Sequence, residues 1–300
     1  MKRFSGKWYN DYAYFRYSVF AKPFVTRQLY RLVLTPYSFL SGLIDSLQHR
    51  LIISHVEFVL TTCCNLRCRD CANLIQYYRQ PAHLDADLIL QDLQTLADSA
   101  DMIYKVLVMG GEPLIYPDLN KVLRTILEMP KIGMIHLVTN GTIIPKPDTL
   151  DILSHPRVYV TVSEYPEKLA PRREKLLQML HDRGIPLKHF PPDWTALGGL
   201  DHKVPDDDRN MSRRFRRCNR TVCNSLLDGK FFICPRSAHG ARIGQFELPD
   251  YDFVQIRGRH DFPMIRDELK ALGKLPYLAA CAHCNGVDGP PVPAALQMSE

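Results

Sequence analysis

From residue 51 onward the apolar positions of the chain switch repeatedly between two periods. Residues 56–62 form a short β-branched and aromatic run, which predicts a strand. Over residues 86–96, Leu and Ile recur at helical spacing, with Asp85 at the N-cap position. Residues 106–109 are an apolar strand that stops at Gly110-Gly111, and residues 117–128 read as a helix with Pro117 in its first turn. A strand over 134–138 ends in Thr139-Asn140-Gly141, followed by a short helix over 147–153. Residues 158–162 make a strand ending at Ser163-Glu164-Tyr165, then a helix over 170–181 and a short strand over 187–190.

Strands that alternate with helices and are apolar almost throughout belong to a parallel sheet covered by helices. The fold class is therefore α/β. Five such strands are too few to close an eight-stranded barrel, so a partial TIM-like barrel is expected. The polar and glycine-rich signals follow the strands' C-terminal ends, where parallel α/β folds place their chemistry. Between residues 191 and 209 the pattern dissolves into Pro, Gly and Asp, which reads as a linker or loop. Beyond it, residues 224–227 and 230–233 flank Asp228-Gly229 as a β-hairpin. These changes divide the chain into an extension over 1–50, a barrel over 51–200 and a smaller unit over 201–300.

Composition excludes wholesale disorder, since 46% of the 300 residues are apolar and 23% charged. The first 30 residues lack the apolar core and cleavage site of a signal peptide, and no stretch is long enough to cross a bilayer. A cytoplasmic location is expected. The net charge of +6 is concentrated early: up to Ile44 there are seven Lys/Arg against the single acid Asp11, among many aromatics. That segment reads either as a surface for an anionic partner or as a helical extension packed on the main domain. No base-reading motif accompanies it, so a nucleic-acid partner is not expected.

Nine cysteines change the picture most. They are too few for a disulfide scaffold in a chain of this length, and they cluster, which points to metal or iron–sulfur ligands. Cys64, Cys68 and Cys71 have C-x3-C-x2-C spacing directly after the first strand, with Cys63 adjoining Cys64. Three thiolates from one loop can hold three irons of a four-iron cluster and leave the fourth open. A structural zinc site would want a fourth local ligand that Cys63 cannot readily provide.

At these residues the chain resembles the radical S-adenosylmethionine (SAM) superfamily. Gly110-Gly111-Glu112-Pro113 is similar to that family's GGEP motif, which contacts the amino group of SAM. Thr139-Asn140-Gly141-Thr142 matches its turn after the next strand, and Ser163 stands where the family places a polar residue near the ribose. The resemblance covers about residues 51–190 and implies a partial (β/α)6 TIM-like barrel. It implies SAM and a [4Fe-4S] cluster as cofactors, with Cys64, Cys68 and Cys71 as metal ligands. Gly110, Gly111, Glu112, Pro113, Asn140 and Ser163 become the expected cofactor-binding residues. The implied chemistry is reductive cleavage of SAM to a 5′-deoxyadenosyl radical that abstracts hydrogen, with a flavodoxin- or ferredoxin-type electron donor. Asp70 departs from the family, which usually has an aromatic before the third cysteine, beside the adenine.

The later cysteines form C-x10-G-x4-C from Cys218 to Cys234 and a C-x2-C at Cys281 and Cys284. This resembles the auxiliary-cluster module called twitch, related to the longer SPASM domain. By that resemblance Cys218, Cys234, Cys281 and Cys284 hold a second [4Fe-4S] cluster in a small β-hairpin and helix domain. A four-cysteine zinc ribbon is the structural alternative. Cys223 is left over, as an alternative ligand, a buried apolar residue or a hydrogen-atom donor of the kind some epimerases use. Cys63 reads as structural. Arg209, Arg213, Arg214, Arg216, Arg217 and Arg220 could offset cluster charge, grip an anionic substrate or form a solvated surface.

The expected activity is radical SAM dehydrogenation or epimerisation of a small polar metabolite or carbohydrate. No winged-helix leader-binding domain is legible. Two rivals remain: a peptide (RiPP) maturase using the basic N-terminus, and a non-catalytic iron–sulfur scaffold or electron-transfer protein.

Overall fold

A computed structural model describes residues 49–189, 193–204, 207–218 and 223–298. The basic, aromatic N-terminal stretch, Phe190 and Arg220 lie outside the described residues. The first half runs β1 (Ile52–Ile53), β2 (Val56–Thr61), α1 (Ala86–Ser99), β3 (Met102–Gly110), α2 (Leu119–Glu128) and β4 (Ile132–Thr139). It continues with α3 (Pro147–Leu153), β5 (Val158–Val162), α4 (Arg173–Asp182) and β6 (Leu187–His189). Then follow β7 (Asp193–Thr195), α5 (Asp208–Arg217), β8 (Asn224–Leu227), β9 (Lys230–Phe232), α6 (Pro235–Arg242), β10 (Val254–Gln255), α7 (Phe262–Leu272) and β11 (Pro291–Pro293).

Among the described residues the main sheet has the order β10-β9-β8-β2-β3-β4-β5-β6, with β1 beside the start of β3. From β8 through β6 every neighbouring pair is parallel. The five strands expected from the pattern are therefore joined by a sixth, β8, contributed by the predicted hairpin. This is a partial TIM-like barrel, with no closed barrel detected among the described residues. The β8–β2 ladder carries the sheet across residue 201, so the hairpin extends the sheet.

Each element follows from its sequence. The Asp85 carboxylate accepts from Leu88 N at 2.9 Å and starts α1. Asp228 and Gly229 both take positive φ, 52° and 73°, as a two-residue turn between β8 and β9 requires. The helix-facing side of the sheet buries Val56, Phe58, Leu60, Val106, Val108, Ile135, Leu137, Val158 and Val160. Against them lie Ile89, Leu93 and Leu96 of α1, Val122, Leu123 and Ile126 of α2, and Leu176 and Leu180 of α4. On the other side buried polar groups collect: Glu57, Thr61, His136 and Thr161. His136 Nε2 lies 2.8 Å from Thr161 Oγ1, and its ring stacks on Tyr159 at 4.1 Å.

The second half departs from expectation in its helices. Asp206–Asp208 was expected to be loop, yet Asp207 caps α5 by accepting from Asn210 N at 2.8 Å. The Arg-rich run that follows is helical, with Met211 and Phe215 four residues apart as its narrow apolar face and Phe215 packed against the main core. α6 is fastened to the segment after the first cysteine loop by Tyr78, whose hydroxyl lies 2.7 Å from His239 Nδ1. His239 is fully buried, and burial, followed by the Arg242 charge, pushes its pKa down to about 3.

Because the folded pKa of His239 lies below its unfolded value, the native state takes up this proton later than the unfolded chain does. The neutral group costs nothing above about pH 6.5, and stability is lost as pH falls from there towards 3. At pH 4 the loss from this one group is roughly 3 kcal/mol. Urea unfolding at pH 7 and pH 4 is expected to show that loss in the native chain and a smaller one in His239→Phe.

Candidate active site

The site begins where β2 ends. Residues 62–71 leave the C-terminal end of that strand as a loop, held at its start by Thr62 N donating to Ala82 O at 2.9 Å. The loop carries Cys63, Cys64, Cys68 and Cys71. The sequence spacing brings the last three together: Cys64 and Cys68 each lie within electrostatic reach of Cys71, and Cys64 within reach of Cys68. Burial is the main cause that pushes Cys64 up to about 12 and Cys68 up to about 11. Such thiols give up protons readily only to a bound metal. Three convergent sulfurs on one loop, without a fourth, fit the open-iron cluster.

Gly110 and Gly111 end β3 against this loop. Gly111 N donates to Thr61 O at 2.8 Å and Glu112 N to Cys63 O at 2.9 Å. A Cβ at Gly110 would stand 2.1 Å from Thr61 O, and one at Gly111 would stand 1.9 Å from Cys63 O. Glycine is required here by the cysteine loop itself, before any ligand enters. Cys63 meets that contact with its backbone.

Glu112 is 0% exposed. Its carboxylate accepts from Leu114 N at 3.0 Å, Thr139 Oγ1 at 2.8 Å and Asn140 N at 2.7 Å. Burial outweighs these three donors and raises its pKa to about 7. Three of its roughly four acceptor positions are thus occupied by the protein. The expected partner of a SAM ammonium is first of all the tie between the ends of β3 and β4. Pro113 is buried and opens the short 3-10 turn Pro113–Ile115.

Asn140, in the turn after β4, donates to Asn65 Oδ1 at 2.8 Å and approaches Cys64 Sγ at 3.8 Å. Asn65 in turn donates to Thr142 Oγ1 at 2.7 Å. Ser163 follows β5; its N donates to Thr139 O at 2.9 Å, and its carbonyl accepts from Arg173 Nε at 3.0 Å. Gly110, Glu112, Asn140 and Ser163 therefore line the strand ends β3, β4 and β5 in succession.

Two residues of this site escaped the sequence reading. Tyr165 lies within electrostatic reach of all three cysteines, hydrogen-bonds Ser163 and meets Trp194 edge-on at 5.9 Å. Its signal was its place two residues after Ser163. Gln297 had no local signal. Its Nε2 donates to Cys68 Sγ at 3.3 Å, and its Oε1 accepts from Arg67 N at 2.8 Å. Arg69 N to Leu296 O, at 2.7 Å, and Met298 N to Arg67 O, at 2.8 Å, complete a strap over the loop. Asp70, where the family has an aromatic, pairs with Arg69 at 3.0 Å.

The second cysteine set also converges. Cys218 follows α5, Cys234 caps α6, and Cys281 and Cys284 belong to the turn around residues 279–284. All four line one pocket, and Cys218, Cys281 and Cys284 all act electrostatically on Cys234. Burial raises both the Cys234 and Cys281 thiols, the latter to about 11. Ala72, the residue after Cys71, lines the same pocket, which makes the two sets neighbours. Cys223 is absent from this lining.

Of the arginines singled out, Arg214 is buried here and donates to Cys281 O at 2.7 Å. Arg217 pairs with Asp288 at 3.1 Å, and Arg209, Arg213 and Arg216 face solvent. The sequence reading missed Arg236, which is 2% exposed. It donates to His283 O and Gly199 O, both at 3.1 Å, and feels Cys234 and Cys284.

Comparison with known proteins supplies the family. The family model described as the radical SAM superfamily matches residues 58–191. The GTP 3′,8-cyclase of Stenotrophomonas maltophilia strain R551-3 is 31% identical over 233 residues, 66% of this chain and 69% of the relative. That of strain K279a is 31% identical over 93 residues, 31% of this chain and 28% of the relative. The enzyme of that name from Syntrophomonas wolfei is 33% identical over 104 residues, 32% of this chain and 29% of the relative. The chain thus spans under a third of the length of two of these relatives. Among solved structures, BtrN in complex with AdoMet and 2-DOIA has a TM-score of 0.50 at 18% identity, covering 78% of this chain and 94% of that one.

Two outcomes follow from these contacts. Glu112→Gln sets an amide N–H against the Thr139 or Asn140 donor, so chemical denaturation should show a loss of about 1–3 kcal/mol. Gln297→Leu removes a donor to Cys68 sulfur that favours the more negative, reduced state. An EPR redox titration of the cluster-loaded variant should therefore give a more negative midpoint potential than the parent.

Proposed function

Since the chain belongs to the radical SAM superfamily, we propose that it is a two-cluster oxidoreductase acting on a small polar metabolite. The observation that carries this reading is the second set of cysteines, four in one pocket beside the first three. Four sulfurs complete the coordination of a cluster, which suits it to electron transfer rather than to substrate ligation. When bound, SAM and the first cluster supply a 5′-deoxyadenosyl radical able to take hydrogen from carbon, and the second cluster supplies an electron-accepting centre.

The chain's own groups act by holding and orienting. Cys64, Cys68 and Cys71 would hold the first cluster, and Cys218, Cys234, Cys281 and Cys284 the second. Gly110, Glu112 and Asn140 align the strand ends on which SAM would rest. Tyr165 and Trp194 cover the same side with aromatic surface. Arg214 and Arg236 place two buried cations beside the quartet. Reduction by a flavodoxin- or ferredoxin-type protein completes the requirement.

Dehydrogenation is favoured over epimerisation by the position of Cys223. A hydrogen-donating thiol must face the substrate, yet Cys223 precedes β8 and sits level with the start of β2. The six residues of β2 put it about 20 Å from the loop that carries the first cysteines. A second reading, a nucleotide cyclase, rests on the 31% identity to a GTP 3′,8-cyclase over 69% of that relative.

Anaerobic reconstitution should load about eight irons per chain, one [4Fe-4S] cluster for each cysteine set. The reduced protein should then convert SAM to 5′-deoxyadenosine, and a chain with Cys64, Cys68 and Cys71 changed to Ala should not. About four irons with one zinc would overturn the second cluster. Trials with polyol substrates and with GTP, in heavy water, separate the readings. Dehydrogenation leaves no solvent deuterium on the oxidised carbon, epimerisation leaves one, and a cyclised GTP product would favour the second reading.

A further inference from the structure

Cys223 belongs to neither cluster set, but it is not isolated. It immediately precedes β8, where Asn224 pairs with Val56 and Ser225 with Glu57 in a parallel ladder. That register brings Cys223 to His55 and Glu57, which are two residues apart and so share one face of the chain. The Cys223 sulfur, a His55 ring nitrogen and a Glu57 carboxylate oxygen all lie within 4.8 Å of one another. Glu57 is only 4% exposed, while His55 and Cys223 are half-buried.

We propose that His55, Glu57 and Cys223 form a mononuclear site for a zinc-type divalent cation, distinct from both cysteine-bound clusters. One nitrogen, one oxygen and one sulfur donor suit a borderline ion, whereas magnesium or calcium would want oxygen alone. Tetrahedral bonds of 2.0–2.3 Å place donors roughly 3.3–3.8 Å apart, so side-chain rotation of an ångström or so completes the geometry. Thiolate and carboxylate together cancel the charge of a divalent ion, leaving a buried site neutral.

The supporting contacts are of the kind that orient ligands. Ser225 Oγ donates to Glu57 Oε2 at 3.3 Å, and Asn224 Nδ2 donates to the His55 carbonyl at 2.7 Å. Both come from β8, so the strand that delivers Cys223 also holds the Glu57 carboxylate and the backbone of His55. By register Lys105 lies beside this site, next to Val106, the residue that pairs with Val56. If Lys105 satisfies Glu57 instead, no metal is retained.

The test uses the full chain with its clusters reconstituted, incubated with zinc chloride and desalted. Expected is about one zinc per chain in addition to the iron, with one sulfur and otherwise nitrogen or oxygen neighbours in its X-ray absorption spectrum. Cys223→Ala and Glu57→Gln should each retain about a tenth of that zinc or less, with iron unchanged. Absence of zinc from the parent chain overturns the proposal. So does four-sulfur coordination, which would put the zinc in the cysteine quartet, or retention in both variants equal to that of the parent chain. Should a variant lose iron as well, its fold has failed and the absorption spectrum of the parent decides alone.

Discussion

The close approach of the end of β3 to the first cysteine loop governs this molecule. The backbone of Gly110 and Gly111 lies against Thr61 and Cys63 with no room for a side chain. Every later piece of the site is positioned from that contact. Glu112 follows immediately, and its buried carboxylate gathers the end of β4 through Thr139 and Asn140. Asn140 then reaches back to Asn65 and Cys64. The result is a closed circuit of hydrogen bonds that ties the strand ends to the cysteine loop. Sites carried by rigid elements hold their geometry before a ligand arrives.

Desolvation is the second constraint. Cys64 and Cys68 of the first set and Cys234 and Cys281 of the second have thiols that burial pushes up, and repulsion from neighbouring cysteines adds to the effect. A pocket with that character is unfavourable for thiolate anions on their own. Around the quartet Arg214 and Arg236 supply positive charge from inside, and each donates to backbone carbonyls. In the first set, amide donors from Asn140 and Gln297 reach Cys64 and Cys68.

The first half of the chain was legible because its signals are local. Unbroken apolar strands, Asp85 as a cap and the strand-end motifs each depend on neighbours a few residues away, and the observed elements lie within a few residues of expectation. Pro147–Leu153 and Val158–Val162 agree at both ends. The second half was legible only in its cysteines and its Asp-Gly turn. α5 carries so many arginines that its two apolar residues, Met211 and Phe215, do not mark it in the sequence, and its buried residue is Arg214. That β8 would pair with β2, and so give the barrel its sixth parallel strand, is a long-range choice that no window of sequence displays. Gln297 and Arg236 were missed for the same reason. The grouping of His55 and Glu57 with Cys223 exists only once that pairing is made.

The strap formed by Leu296, Gln297 and Met298 has a consequence for assembly. Gln297 lies 229 positions beyond Cys68, yet it supplies one wall of the first cysteine loop. A ribosome makes the loop early and the strap late, at several residues per second. During that interval the loop is open on the side that Gln297 will cover. Iron delivered then meets an exposed nest of thiols, and iron delivered afterwards must enter a covered one. The order of synthesis thus gives the chain a window for metallation that shuts when the strap closes over the loop.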